Sequence, residues 1–389
     1  MGVALRGLWA RVKEQTVLVG YGTGEMYSFD LSGRLLEGVV GGVGLRRALD
    51  GRVLEKLCQA EPGAILRRRR RLLPRPQARA RVARAYRLLH RAIAGGALAD
   101  HPALAARLSR VGLRELEEDA RRFRTIWAPV PVLPPDQYLA VVVQLTVGCS
   151  YGRCTFCSYA GRPFRVRTVP ELRRHAQMAR EFFGPALPRR TGVFMGDANA
   201  LALPERRVLQ AVEVVREAFA GWPAAGEWYG FVDAFHGRRR SVEGWRQLEQ
   251  AGLRRVYVGL ESGSERVLRL LEKPGSPRDA VELVRALHDA HVSAGVMVML
   301  GAGGRELAGE HVAETAKVLD AMELGPGDFL YLSPLVAGPA TAYGQRAAQW
   351  GLRPLAGREV EAQGLALLEA VRLGRGARWS YYHVEEFVY

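Results

Sequence analysis

Gln144-Leu-Thr-Val-Gly-Cys149-Ser-Tyr-Gly-Arg-Cys154-Thr-Phe-Cys157 holds three of the chain's four cysteines within nine residues. A chain of 389 residues that uses cysteine so sparingly and then crowds it is building a metal site. Three is an informative number of thiolates. A structural zinc or an electron-transfer cluster normally takes four protein ligands, whereas three leave one coordination position for another molecule. The stretch Tyr138–Thr146 just before them reads as a strand, so the cysteines sit on the loop that leaves its C-terminal end.

Working outward, strands and helices alternate. Expected strands are Tyr138–Thr146, Thr191–Met195, Glu227–Val232, Arg255–Leu260, Val292–Leu300 and Phe329–Ser333. Helical patterns fill the gaps at Val169–Phe183, Glu205–Ala220, Ser241–Ala251, Pro277–His291 and His311–Met322. Six βα units in succession place the chain in the α/β class, as a partial (βα)6 TIM-type barrel or a doubly wound sheet. The polar residues decide between them. Cys149, Gly196-Asp197, Asp233, Glu261-Ser262 and Gly301–Gly304 each follow a different strand at its C-terminal end. A barrel gathers all of these ends at one mouth, while an open doubly wound sheet uses fewer of them at a switch point.

The spacing C-x4-C-x2-C, with Phe156 before the last cysteine, resembles the radical S-adenosylmethionine superfamily. It is similar to the branch with Gly-Cys-x4-Cys-Thr-Phe-Cys loops, one residue longer in the first gap than the usual C-x3-C-x2-C. Three further segments carry the resemblance across roughly 138–335. Phe194-Met-Gly-Asp-Ala-Asn199 is similar to the strand-two segment that receives the methionine amino group. Val256-Tyr-Val-Gly-Leu-Glu-Ser-Gly263 looks like the strand-four segment shared with radical methylthiotransferases and oxygen-independent coproporphyrinogen oxidases. Met299-Leu-Gly-Ala-Gly-Gly304, with His311 and Glu314-Thr315, resembles the strand-five glycine motif and its helix.

The resemblance implies a [4Fe–4S] cluster on Cys149, Cys154 and Cys157, with S-adenosyl-L-methionine chelating the fourth iron through its amino and carboxylate groups. It implies reductive cleavage to a 5′-deoxyadenosyl radical, hydrogen abstraction from a substrate, and an external electron donor such as a flavodoxin or ferredoxin. Phe156, Gly196, Asp197, Asn199, Glu261, Ser262 and Gly301 are the residues it assigns to the cofactor. Asp197 suits the ammonium group, Glu261 and Ser262 the ribose hydroxyls or methionine end, and Phe156 the adenine. No Asp-x-His-x-x-Gly cobalamin signature is present, and Cys58 alone can hardly hold an auxiliary cluster, so methylthiolation and cobalamin-dependent methylation are disfavoured.

Plainer readings of the same residues exist. A zinc knuckle would need a fourth ligand, and the nearest histidine, His175, falls inside an expected helix. Asp197 and Asn199 read equally as helix N-caps ahead of Glu205, and Glu261 as a cap for a helix beginning near Ser264. Cys58 reads as a buried small hydrophobe.

A hydrophobic fraction of 48% and a mean hydropathy of −0.08 describe an ordinary globular chain. No apolar run suits a bilayer and no signal peptide opens the sequence, so the expectation is a reducing cytoplasm and no membrane partner. The net charge of +16 is uneven, with 25 basic against 12 acidic residues in 1–130 and 31 against 28 thereafter. The tract Arg67–Arg71 followed by Arg75, Arg79, Arg81, Arg84, Arg87 and Arg91 reads as solvated surface or as a phosphate-binding stripe. An RNA-modifying enzyme is therefore one alternative, with nucleic acid the less favoured partner, and a non-catalytic zinc or redox-sensing module is another.

Expected domains are a small N-terminal α/β domain over 1–128, a proline-rich linker over 129–136, the barrel over 137–335 and a helix–strand extension over 336–389. Within the first, Thr16–Gly22, Glu25–Phe29 and Arg34–Val40 read as strands, and Pro76–Ile93 and 103–124 as single helices. The tail 378–389 alternates as a strand would.

Overall fold

In a computed structural model that describes residues 7–57, 70–384, 387 and 389, alternating apolar residues from Leu8 onward form a seven-stranded antiparallel meander. Its strands are β1 (Leu8–Val12), β2 (Thr16–Tyr21), β3 (Glu25–Asp30), β4 (Leu35–Val40), β5 (Val43–Arg47), β6 (Val53–Leu57) and β7 (Arg70–Leu72). The sequence reading had found only β2, β3 and β4. Arg70 and Arg71 lie in a strand, and Cys58 and Arg67–Arg69 lie outside the described residues. The helix Arg75–Ala94 lays Val82, Tyr86 and Leu89 on Val17, Val19, Phe29 and Leu35. The helix expected over 103–124 is two helices, Pro102–Leu108 and Leu113–Ile126. The reason is local: Gly112 opens the second helix, its N–H bonded to Glu115 Oε2 at 3.1 Å.

This sheet and these helices belong to one compact unit, Met1–Val132 with Met178–Arg190 and Glu385–Tyr389. Aromatic packing explains the inclusion of the second segment: Phe123 stacks on Trp127 at 4.8 Å and Phe182 meets Trp127 edge-on at 5.2 Å. Four arginines of the tract pair with carboxylates inside the unit. Arg71 and Arg81 both pair with Glu55 at 3.0 Å, Arg84 with Glu25 at 2.7 Å, and Arg79 with Glu117.

The second unit is Leu133–Gln177 with Thr191–Val384. It holds a two-residue antiparallel ladder, β9 (Thr146–Val147) on β10 (Arg165–Val166), and a seven-stranded sheet. That sheet runs β8 (Val141–Gln144), β11 (Val193–Gly196), β12 (Trp228–Val232), β13 (Leu253–Glu261), β14 (Ser293–Leu300), β15 (Phe329–Pro334) and β16 (Arg378–Tyr381). Every neighbouring pair is parallel. Spatial order equals chain order, so there is no switch point. Right-handed crossovers then put the helices on one face, which is the winding of a partial barrel rather than a doubly wound sheet.

Six strands and five intervening helices fall where the sequence put them, within a few residues. The seventh strand comes from the tail, but only Arg378–Tyr381 pairs, not the whole of 378–389. At the N-terminal end of the sheet, Asp136 accepts from Arg255 at 2.6 Å, from Tyr331 at 2.6 Å and from Tyr257. This part-buried cluster ties β13 and β15 together, away from the end that carries the cysteines.

Candidate active site

The loop with the cysteines leaves β9 and returns to β10, so the two-residue ladder pins its base. Arg167 reinforces the closure by donating from Nε to Gln144 O at 2.8 Å. Gly148 sits in the crease at φ +81°, and a Cβ there would stand 2.4 Å from Pro163 O. Only glycine fits both the conformation and the contact. Inside the loop, Thr155 N–H donates to Leu271 O at 3.0 Å and Tyr343 N–H donates to Thr155 O at 3.2 Å. Phe156 packs among Leu270, Leu271, Met299, Ala302 and Tyr343.

Cys149, Cys154 and Cys157 are free thiols, each partly buried. Burial pushes the Cys154 thiol up to about 12, against the pull of the Lys273 ammonium, and raises Cys157 as well. Tyr159 N–H points at Cys157 Sγ, 3.5 Å away. Three thiols with a nearby ammonium and an N–H···S contact form a donor set suited to thiolates that share an iron–sulfur cluster. Among the described residues, no three His, Cys, Asp or Glu side chains gather closely enough to hold a single metal ion. The zinc reading's fourth ligand is engaged elsewhere: His175 is buried and its Nε2 takes the Gln144 N–H at 3.0 Å.

Asp197 follows β11, whose Gly196 pairs with Gln144 of β8. Its carboxylate reaches both ends of the cysteine loop, accepting from Gly148 N–H at 3.3 Å and from the Tyr159 hydroxyl. Its own N–H donates to Thr146 Oγ1 at 2.8 Å. Burial raises its carboxyl to about 6 in spite of these bonds. Asn199 donates to Ser150 Oγ at 3.0 Å and to Asp233, and its Oδ1 accepts Asp233 N–H at 2.9 Å. Neither residue caps the helix Glu205–Ala218, which follows Pro204 with no side-chain cap.

On β13 a register shift falls between Gly259 and Glu261, and Glu261 takes φ +62°. The bulge re-aims its carboxylate to Lys273, with Oε1 3.0 Å from Nζ. Burial disfavours the Lys273 charge, but Glu261 and the Cys154 thiol outweigh it and raise the pKa. Glu261 is no cap, since Ser264 caps its own helix by accepting Val267 N–H at 3.2 Å. Ser262 is fully buried, with Oγ 2.7 Å from His311 Nδ1 and accepting Ser264 N–H at 3.0 Å. Gly301, at φ +85°, donates its N–H to Gln363 Oε1 at 2.7 Å.

The sequence reading missed several partners. Lys273 is one of only four lysines in the chain, and that rarity was the available signal. Tyr159 lay two residues past the last cysteine. Asp233, one of the strand-end groups that the sequence places at the barrel mouth, also holds His236, with Nδ1 2.7 Å from Oδ2 and the backbone N–H 2.8 Å from Oδ1. A chain of bonds thus runs from Ser150, beside Cys149, through Asn199 and Asp233 to a partly exposed imidazole.

Residues 143–319 match the family model described as the Radical SAM superfamily. No curated protein matches the chain. Among solved structures it is similar to the radical S-adenosylmethionine methyltransferase TsrM from Kitasatospora setae with cobalamin and a [4Fe-4S] cluster bound, at 17% identity and TM-score 0.42, over 58% of this chain and 46% of that one. It is also similar to coproporphyrinogen III oxidase HemN from Escherichia coli, at 17% identity and TM-score 0.44, over 64% and 53%. The archaeal Elp3 of Methanocaldococcus infernus gives 12% identity and TM-score 0.41, over 62% and 56%. The chain spans about half the length of each, and overlays this loose carry no argument about substrate.

Proposed function

The chain belongs to the radical S-adenosylmethionine superfamily, whose members use a [4Fe–4S] cluster and S-adenosyl-L-methionine, and from that premise we propose that Cys149, Cys154 and Cys157 hold the cluster for hydrogen abstraction from a substrate. The observation that carries the reading is the Asp197 carboxylate, bonded to both ends of the three-cysteine loop. It offers an ammonium acceptor beside the coordination position that three thiolates leave open. A cluster held by Cys149, Cys154 and Cys157 would supply the one-electron reducing chemistry that cleaves a bound sulfonium and starts hydrogen abstraction.

The chain's own residues do the rest. Lys273 offsets thiolate charge at Cys154 and Cys157, and Tyr159 N–H supports Cys157. Asp197 receives the methionine ammonium, with Gly196 giving the approach. Asn199 holds Ser150 and so fixes the start of the loop. Phe156 seats the loop against the β14 end and lies near the adenine, while Gly301 opens the turn there. Glu261, fixed by Lys273, faces the ribose or methionine end. Ser262, with its hydroxyl on His311, serves that end by holding β13 against the helix Ala308–Met322. His236, oriented by Asp233, carries a proton to or from the substrate. We place the protein in the cytoplasm with a flavodoxin- or ferredoxin-type donor, a placement supported by its sparing use of cysteine.

Anaerobic reconstitution with iron and sulfide tests the proposal. The expected outcome is a brown protein that releases 5′-deoxyadenosine from S-adenosylmethionine under dithionite. Cys154→Ala should abolish both colour and release. Asp197→Asn should keep the colour but lower the release at subsaturating S-adenosylmethionine. A colourless protein that binds zinc and releases nothing would put the zinc module in its place.

A further inference from the structure

The first unit contains a cavity of about 610 Å³ that the chemistry of the cysteine loop does not use. Six guanidinium groups line it, from Arg47, Arg52, Arg75, Arg79, Arg121 and Arg124, against the two carboxylates of Asp50 and Glu117. The formal surplus is four positive charges. Its floor is apolar, built from Leu73, Val82, Leu113 and Leu116.

The internal ion pairs take three of the six guanidiniums and leave three without a carboxylate among the described residues. Asp50 pairs with Arg52 at 2.6 Å, Glu117 with Arg79, and Arg121 turns to Glu118 at 2.8 Å. Arg47, Arg75 and Arg124 have no carboxylate partner among the described residues. Arg124 donates to Asp50 O at 2.7 Å and Arg47 to Leu116 O at 3.1 Å, both backbone carbonyls. Arg47 is the telling member, because it is only 7% exposed. Asp119 and Asp30, the nearest carboxylates in its field, are committed to Arg34, at 2.9 Å and 3.6 Å. A buried guanidinium without its own counterion is destabilising, and a bound anion offsets that. Arg75 adds to this as the first residue of a 20-residue helix whose N-terminus opens on the same cavity.

We propose that this cavity binds a small organic anion, a phosphate or carboxylate group carried on an apolar body. The anionic group sits on Arg47, Arg75 and Arg124, and the apolar body covers the leucine and valine floor. The volume suits one such molecule, since ligand pockets hold roughly 300–1,000 Å³. Among the described residues the lining has no aromatic ring on which a run of bases could stack, which favours a small molecule over a nucleic acid.

Calorimetric titration and thermal melting of the full chain test the site with phenyl phosphate, benzoate, inorganic phosphate and oligouridylate at one ionic strength. Phenyl phosphate or benzoate should bind and raise the melting temperature, and the stronger of the two identifies the anionic group. Inorganic phosphate, without the apolar body, should bind roughly tenfold more weakly. Arg75→Gln and Arg124→Gln, both at exposed positions, should each weaken binding roughly tenfold, as the loss of a charged hydrogen bond does. Arg47→Met should abolish binding while leaving the ligand-free melting temperature unchanged or higher. The proposal is overturned if inorganic phosphate binds as tightly as phenyl phosphate, if neither organic anion binds, or if oligouridylate binds in preference to both. Wild-type affinity in Arg75→Gln and Arg124→Gln also overturns it, and those two variants decide the matter should Arg47→Met fail to fold.

Discussion

Lys273 and Glu261 are each about one-tenth exposed, and each is the other's ion-pair partner. Removing one strands the other as a buried charge, which costs about 3–5 kcal/mol. Lys273→Met should therefore lower unfolding free energy by that order in urea titration, and Lys273→Met with Glu261→Gln should recover a large part of it. His311 makes a different kind of statement. It is fully buried, and burial depresses its pKa from 6.5 to about 4. Below pH 6.5 the unfolded chain takes up a proton that the native chain refuses, so stability is full above 6.5 and drains away as the pH falls through about 4. A pH series of melting temperatures should show that slope, and His311→Gln should flatten it. His288 runs the opposite way: its bond to Asp328 raises its pKa, so its contribution is present at low pH and is lost as the pH rises.

At the scale of elements, the contact of β13 with the helix Ala308–Met322 is set by one glycine. A Cβ on Gly263 would lie 2.3 Å from Glu314 O and 2.6 Å from Thr315 Cα, backbone atoms that cannot step aside singly. Thr315 Oγ1 also takes the Gly263 N–H at 2.8 Å. Gly263→Ala should cost about 3 kcal/mol or more by forcing the helix off the strand, read as a fall in melting temperature. Gly309→Ala, in the same helix with open space around it, should be neutral or slightly stabilising. The sequence had marked Gly263 only as part of a strand-end motif. Its packing role depends on the helix that crosses it, with Thr315 52 residues later in the chain.

For the whole molecule, the charge of +16 invites a polyanion reading that the ion pairs of the first unit argue against. Arg71, Arg79, Arg81 and Arg84 are held by Glu55, Glu117 and Glu25, which makes these four less available to a phosphate backbone. If ten arginines acted, the logarithm of RNA affinity would fall with the logarithm of salt at a slope of about −7. We expect a slope shallower than about −3 by filter binding, and a value near −7 would show that the pairs open for RNA.

What the sequence determined by itself is local or periodic. The cysteine spacing needs only a short loop, and alternating βα patterns leave two windings for the second unit, between which the polar residues at the strand ends decide. Tertiary structure alone decided the rest. Tyr159 meets Asp197 across 38 residues, Asn199 meets Asp233 across 34, and a bulge in β13 turns Glu261 to Lys273. Such partners lie far apart in sequence and meet only when the strand ends and their loops come together. The antiparallel meander of the first unit was hidden as well. Its short strands carry too few alternations to announce themselves until they pair.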